Sequence, residues 1–365
     1  MTALTHHRTG PSLHWAGLAT LVVLAGCSRQ ERPSNATATR APSGPPGELV
    51  YVSNEDSRNL SVIDVARDSV IATIEVGTRP RGVKVSPDGR TVYVALSGSP
   101  KCPPSMPDAE CEKLRADRSL DGIAVVDVAS AKTVKVLPGG KDPETFDISR
   151  DGSRLFISNE DADSATIVDL ASGKPIANVS VGREPEGVAV APDGKTVWVT
   201  GETDHDITGV DVATGRRIAD IDILGQRPRG IAFLPDGSRA YVTNEVSGTV
   251  SVVDIPGRKT VQQITMPPDS RPMGILVTPD AKRIYVSNGR GKTLSVIDPA
   301  TNKVTTSVEV GPRPWGIALT RDGRKLYTAN GPGNDVTVVN TETMQVIRTI
   351  PVGSVPWGVA IGPKP

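Results

Sequence analysis

The sequence predicts an all-β protein: a seven-bladed β-propeller of four-stranded antiparallel blades, closed by N- and C-terminal strands that share one blade. Three observations carry this. A "YVSN"-like element begins at Tyr51, Tyr93, Phe156, Trp198, Tyr241, Tyr285 and Tyr327, at intervals of 42, 63, 42, 43, 44 and 42 residues. A period near 42 marks a repeat whose sheet is too small to bury both faces and must stack on its neighbours. Aromatic residues make up only 3% of the chain beside 36 glycines and 31 prolines, a balance that suits short strands and tight turns better than packed helices. The two ends of the repeat region are complementary fragments: "ELVYVSN" opens it as the second strand of a unit, and "VPWGVAIG" at 355–362 closes it as a first strand. Pairing them completes the seventh blade and removes an open sheet edge.

Each unit reads in the same order. After "YVSN" comes "SVIDVA" (61–66, echoed at 124, 166, 208, 251, 295 and 337), then a stretch such as "SVIATIEVG", then "GVKVSPDG". Alternating β-branched residues bounded by Gly, Pro and Asp are the pattern of short antiparallel strands. The "DG" pairs at Asp88, Asp151, Asp193, Asp236 and Asp322 suit turns in which glycine accepts positive φ; Asp280 is followed by Ala281, so that turn is expected to differ. The Asp of "VIDVA" (Asp64, Asp127, Asp169, Asp211, Asp254, Asp298, with Asn340 last) is expected to cap the following turn. The long interval places an insertion at about 97–121 between the second and third strands of its blade.

Ahead of the repeats, residues 1–26 have the form of an export signal, with His6, His7 and Arg8 before an apolar stretch from Trp15 to Leu24 and then "LAGC". The small residues before Cys27 resemble a bacterial lipobox, implying cleavage before Cys27 and its lipidation. Residues 27–47 then serve as the lipidated cysteine and a Pro-, Ser- and Thr-rich tether to the propeller at 48–365. Ser28 after the cysteine points to the outer membrane, facing the periplasm. Cys102 and Cys111 are expected to form a disulfide within the insertion, as suits an oxidising compartment.

The chain carries 41 basic and 41 acidic residues, so no basic excess supports nucleic-acid binding. Of four histidines, His6, His7 and His14 fall in the signal and only His205 remains, which excludes multi-histidine metal sites and paired haem ligation; no CxxCH is present.

One position varies against a constant frame. After the proline of each "VGxxPxG" loop stand Arg81, Glu144, Glu186, Arg229, Met273, Trp315 and Trp357. At the start of the innermost strand this slot is expected to face the central funnel, with charged residues on one side and Met and Trp on the other. Such a concavity suits a ligand, or a protein partner in the cell envelope. The competing reading is that these residues only pair and pack between blades. "GETDHD" at 201–206 groups Glu202, Asp204, His205 and Asp206 on the face that carries Glu184 and Glu186, a candidate set for a divalent cation with Glu184, Glu202, Asp204 and His205 as its ligands.

Taken together, "YVTN" (241–244), "SVIDVA", "VGxRPRG" and "SPDGR" resemble the YVTN-family propeller repeat over about residues 48–363. The run from "FISNEDADSATIVDL" onward, with "NGPGNDVTVVN" and "VPWGV", is similar to the branch associated with pyrroloquinoline-quinone-dependent alcohol catabolism. That resemblance implies a periplasmic accessory or binding protein and does not imply that the chain binds the quinone. The repeat is also similar to the propeller of haem-containing nitrite reductases. Three readings stay open: a monomeric, non-catalytic, lipid-anchored binding propeller with no cofactor; a metal-dependent lactonase- or lyase-like enzyme; and a structural or adhesive envelope protein.

Overall fold

The computed structural model describes residues 47–101, 106, 110 and 113–364. The expected signal, Cys27, the tether before Gly47, and both Cys102 and Cys111 lie outside the described residues. The rest forms seven four-stranded sheets, each an antiparallel meander. The seam is closed as expected: Glu48–Asn54 pairs with Pro356–Pro363, from Glu48 opposite Pro363 to Asn54 opposite Pro356.

The apolar core lies between blades. Tyr51, Leu60 and Ile74 of the seam blade pack with Val83, Val92 and Val126 of the next. On its other side Val50, Val52 and Ile63 meet Tyr327, Val338 and Ile350. A blade buries both faces only when flanked, which is why a ring satisfies a sheet of this size. Across these interfaces, basic side chains clasp the turn of the following blade: the Arg154 guanidinium donates to the Val212 carbonyl, and that of Arg283 to Thr341. Lys325 makes the equivalent bond across the seam, to the Val65 carbonyl at 2.9 Å.

The turn chemistry follows the repeat. The Asp64 carboxylate accepts from the backbone of Ala66 and Arg67, and Asp127, Asp169, Asp211, Asp254 and Asp298 cap in the same manner. Asn54, Asn244 and Asn288 donate to side chains of the neighbouring strand and are structural. The turn at Asp280 corrects the sequence reading. Ala281 takes φ 56°, close to the 70° of Gly323, and its N–H reaches the Thr278 carbonyl at 2.9 Å as Gly323 reaches Thr320 at 2.8 Å. The repeat geometry imposes the left-handed conformation on alanine.

Every innermost strand begins with proline: Pro80–Val85, Pro143–Ile148, Pro185–Val190, Pro228–Phe233, Pro272–Val277, Pro314–Leu319 and Pro356–Pro363. Proline needs no ladder donor at a strand start. The residue before each is a non-glycine in the left-handed region, Arg79, Asp142, Glu184, Arg227, Arg271, Arg313 and Val355, with φ between 44° and 60°. Such a conformation costs on the order of 1–3 kcal/mol and persists only where its surroundings impose it. It turns the chain sharply into the inner strand at the funnel mouth.

Candidate functional site

The register of each inner strand shifts just after its proline, as between Pro80 and Val83 or Pro185 and Val188, so the slot residue sits in a bulge. Bulges re-aim side chains. The bulge is clamped from the preceding blade: Ser53 donates to the Arg81 carbonyl at 2.5 Å, Ser158 to Glu186 at 2.7 Å, Thr200 to Arg229 at 2.9 Å, Thr243 to Met273 and Ser287 to Trp315, both at 2.7 Å. The glycine after the slot permits this closeness, since a Cβ on Gly316 would lie 2.6 Å from the Trp357 carbonyl oxygen, inside contact distance. Frame residues thus hold the slot backbone and leave its side chain free to vary.

All seven slot residues line one central cavity of about 840 Å³, joined by Glu55, Arg79, Glu160, Arg227 and Arg313. The charged half is a continuous network. Arg81 is ion-paired with Glu144 and lies 3.3 Å from Glu160 and 3.7 Å from both Glu55 and Asp142. Arg229 is paired with Glu186, with Glu202 at 3.0 Å and with Glu245 at 2.9 Å. Arg79 holds Glu55 at 2.9 Å, and Arg227 holds Glu202. The slot is the inner of three rings: the residue before each proline forms the second, and the residue after each "YVSN" element, including Glu55, Glu160, Glu202 and Glu245, forms the third.

The network shifts proton affinities in both directions. Burial, reinforced by the Glu186 charge, pushes Glu160 up to about 7 despite Arg81. Burial also pushes Glu202 up to about 8, against the pull of Arg229 and with the push of Glu186. At Glu55 burial is outweighed by Arg81, Arg79 and Lys101, which hold the carboxyl below its usual value. Burial of Arg229 is likewise outweighed by Glu186, Glu202 and Glu245, so the guanidinium stays charged.

The other half is apolar. Trp315 and Trp357 meet edge to face with centroids 5.5 Å apart, and the Arg313 guanidinium lies 4.9 Å from the Trp315 ring centre. Met273 completes this wall. The described base of the insertion sits at the rim, where Lys101 reaches Glu55 at 3.0 Å and Asp56 at 2.6 Å.

The sequence-derived cation set does not converge. Glu184 accepts from Thr203, Asp204 is paired with Arg183 at 2.6 Å, and Glu202 turns inward to Arg227 and Arg229. The His205 ring meets the Glu202 carbonyl at 2.9 Å. Among the described residues, the three-carboxylate group with oxygens within 4.8 Å of one another is Asp142, Glu144 and Glu160. Arg81 stands beside all three and supplies the cation there.

Sequence reasoning missed the second and third rings as funnel components. The signal was present in the glutamates of "SNED", "GETD" and "TNEV", charges repeated at one position of the loop.

The fold and funnel define a seven-bladed β-propeller with an asymmetric central site. A family model described as lactonase, 7-bladed beta-propeller, matches residues 222–350, and one for YNCE-like beta-propellers matches residues 108–191. A search of curated proteins by sequence finds no match. Among solved structures, the Pseudomonas aeruginosa periplasmic gluconolactonase is similar with 20% identity and a TM-score of 0.69, over 87% of this chain and 99% of that one. A chain of Kuenenia stuttgartiensis hydrazine synthase is similar at 19% identity and TM-score 0.70, over 85% and 99% of the two chains. At these identities the likeness extends to the fold.

Proposed function

We propose that the chain is a binding propeller whose small ligand occupies the central funnel. The supporting observation is that all seven variable slot residues line a single cavity, charged on one side and aromatic on the other, while the frame around them repeats. Structural packing alone would be served by a uniform ring. In this reading the protein is an exported lipoprotein anchored through Cys27, accessory to quinone-linked alcohol catabolism, as its repeats suggest by resemblance. A thermal-shift screen of short alcohols, aldehydes, carboxylic acids and sugar lactones tests it. Hits should lose their stabilisation in Trp315→Ala and Glu186→Ala; hits that persist in both variants would place binding elsewhere and refute the reading.

A second reading, lactone hydrolysis, is favoured by the lactonase family match and by Glu160, a cavity carboxyl whose proton affinity near neutrality suits a general base. Ring opening of gluconolactone, followed by acid release above the spontaneous rate, would support it if Glu160→Gln abolished the excess. No excess over the spontaneous rate would rule it out for that substrate.

A further inference from the structure

Resting on the funnel as a ligand site, we infer that its ligand is an organic anion with a flat apolar body, its carboxylate-like group on Arg313 and its body against Trp315 and Trp357. The residue before the inner-strand proline is arginine at Arg79, Arg227, Arg271 and Arg313, and of these Arg79, Arg227 and Arg313 line the cavity. Arg79 pairs with Glu55 and Arg227 with Glu202, in each case the third-ring glutamate of the preceding blade. For Arg313 the corresponding residue is Gly289. A Cβ placed there would lie 3.1 Å from the Met273 Cγ, which would have to shift slightly, and 3.9 Å from the Arg313 Cγ, so the position adjoins Arg313 and the carboxylate is missing.

Among the described residues no carboxylate lies within ion-pair distance of Arg313, which stacks on Trp315 instead. The next third-ring position is also glycine, Gly331, where a Cβ would find nothing nearer than 3.8 Å. Arginine, indole and two absent side chains therefore meet in one sector. An anion there would restore the pairing that two other blades make internally, and charge-assisted bonds to a guanidinium are the stronger kind. In this sector the buried Trp315 Nε1, a donor, has no partner among the described residues.

Calorimetric titration of the full chain with phenylacetate, phenylacetamide and phenethylammonium, which share a ring and differ in charge, tests this. Phenylacetate should bind roughly tenfold tighter than the amide, with the ammonium weakest. Gly289→Glu, which supplies the internal carboxylate, should remove the preference for the anion, as should Arg313→Gln, and Arg313→Lys should retain part of it. Binding that favours the amide or ammonium but is lost in Gly331→Leu overturns the anion and leaves the funnel site standing. No binding of any probe at about 10 mM, or binding indifferent to Gly331→Leu, overturns both.

Discussion

Removing the Lys325 ammonium should loosen the closure of the ring. Lys325 is 1% exposed and Asp68 8%, and they meet across the seam between the last complete blade and the blade shared by both ends. Lys325 Nζ reaches Asp68 Oδ2 at 2.6 Å and the Val65 carbonyl at 2.9 Å, and Tyr327 donates to Asp68 Oδ1 at 2.7 Å. Lys325→Met keeps the length of the side chain and strands Asp68 with one donor, a change that costs roughly 3–5 kcal/mol for a buried pair. For a propeller of about 320 residues the unfolding entropy is roughly 0.7 kcal/mol/K, so the melting temperature should fall by about 4–8 °C. Differential scanning calorimetry reads the shift. Lys325→Met combined with Asp68→Ala should cost less than the two single changes added together, because each single variant already breaks the same contact. A loss under about 1.5 °C for the single variant, or strict additivity in the double, would refute the assignment of this pair as the seam's polar lock.

Two further changes follow from local geometry. Ala281→Gly should raise stability by roughly 0.5–1 kcal/mol, the left-handed penalty on alanine less the added entropy of glycine in the unfolded chain; an unchanged or lowered urea midpoint would contradict it. Asp206→Asn should stabilise the protein at pH 8 and not at pH 4. Burial, with the charges of Asp204 and Asp220, raises Asp206 to about 6, so the native state is penalised by its ionisation as pH climbs from the ordinary carboxyl value through 6. The gain above that window is on the order of 2–3 kcal/mol; equal melting shifts at both pH values would remove the argument.

The fold was legible because it is written seven times. A period, a strand pattern and two broken ends are redundant signals, and the seam pairing from Glu48 to Asn54 follows from them. The slot residues were legible for the same reason, since a constant frame isolates its one variable position. What escaped were properties that depend on a neighbour one blade away. Nothing in the residues around Lys325, at a strand start, marks it as buried, and only the ring brings Asp68 beneath it. Ala281 reads as an exception to the turn, yet ladder bonds on both sides leave it no other conformation. Asp206 reads as part of a cation cluster. It is buried instead where Gly201 replaces the asparagine that in the last blade donates from Asn330 to Asp335 at 2.6 Å. That missing donor accounts for its unpaired oxygen.

A repeat protein can make its funnel asymmetric without disturbing its frame. Each blade must fix its inner strand, and here a proline, a bulge, a glycine and a hydroxyl from the neighbour do so with backbone contacts alone. Side chains in the three funnel rings are then free of the scaffold's demands and constrained by one another: a buried carboxylate requires a guanidinium in its own or an adjoining ring, because a buried unpaired charge is destabilising. Five blades obey this with Arg79, Arg81, Arg227 and Arg229 set among Glu55, Glu144, Glu186, Glu202 and Glu245. The sector of Gly289, Arg313 and Gly331 breaks the rule on one side only, keeping the cation and deleting the anion beside an indole pair. Arg313 is exposed and tolerates that deletion, as a buried arginine would not, and the anion site proposed above rests on this departure.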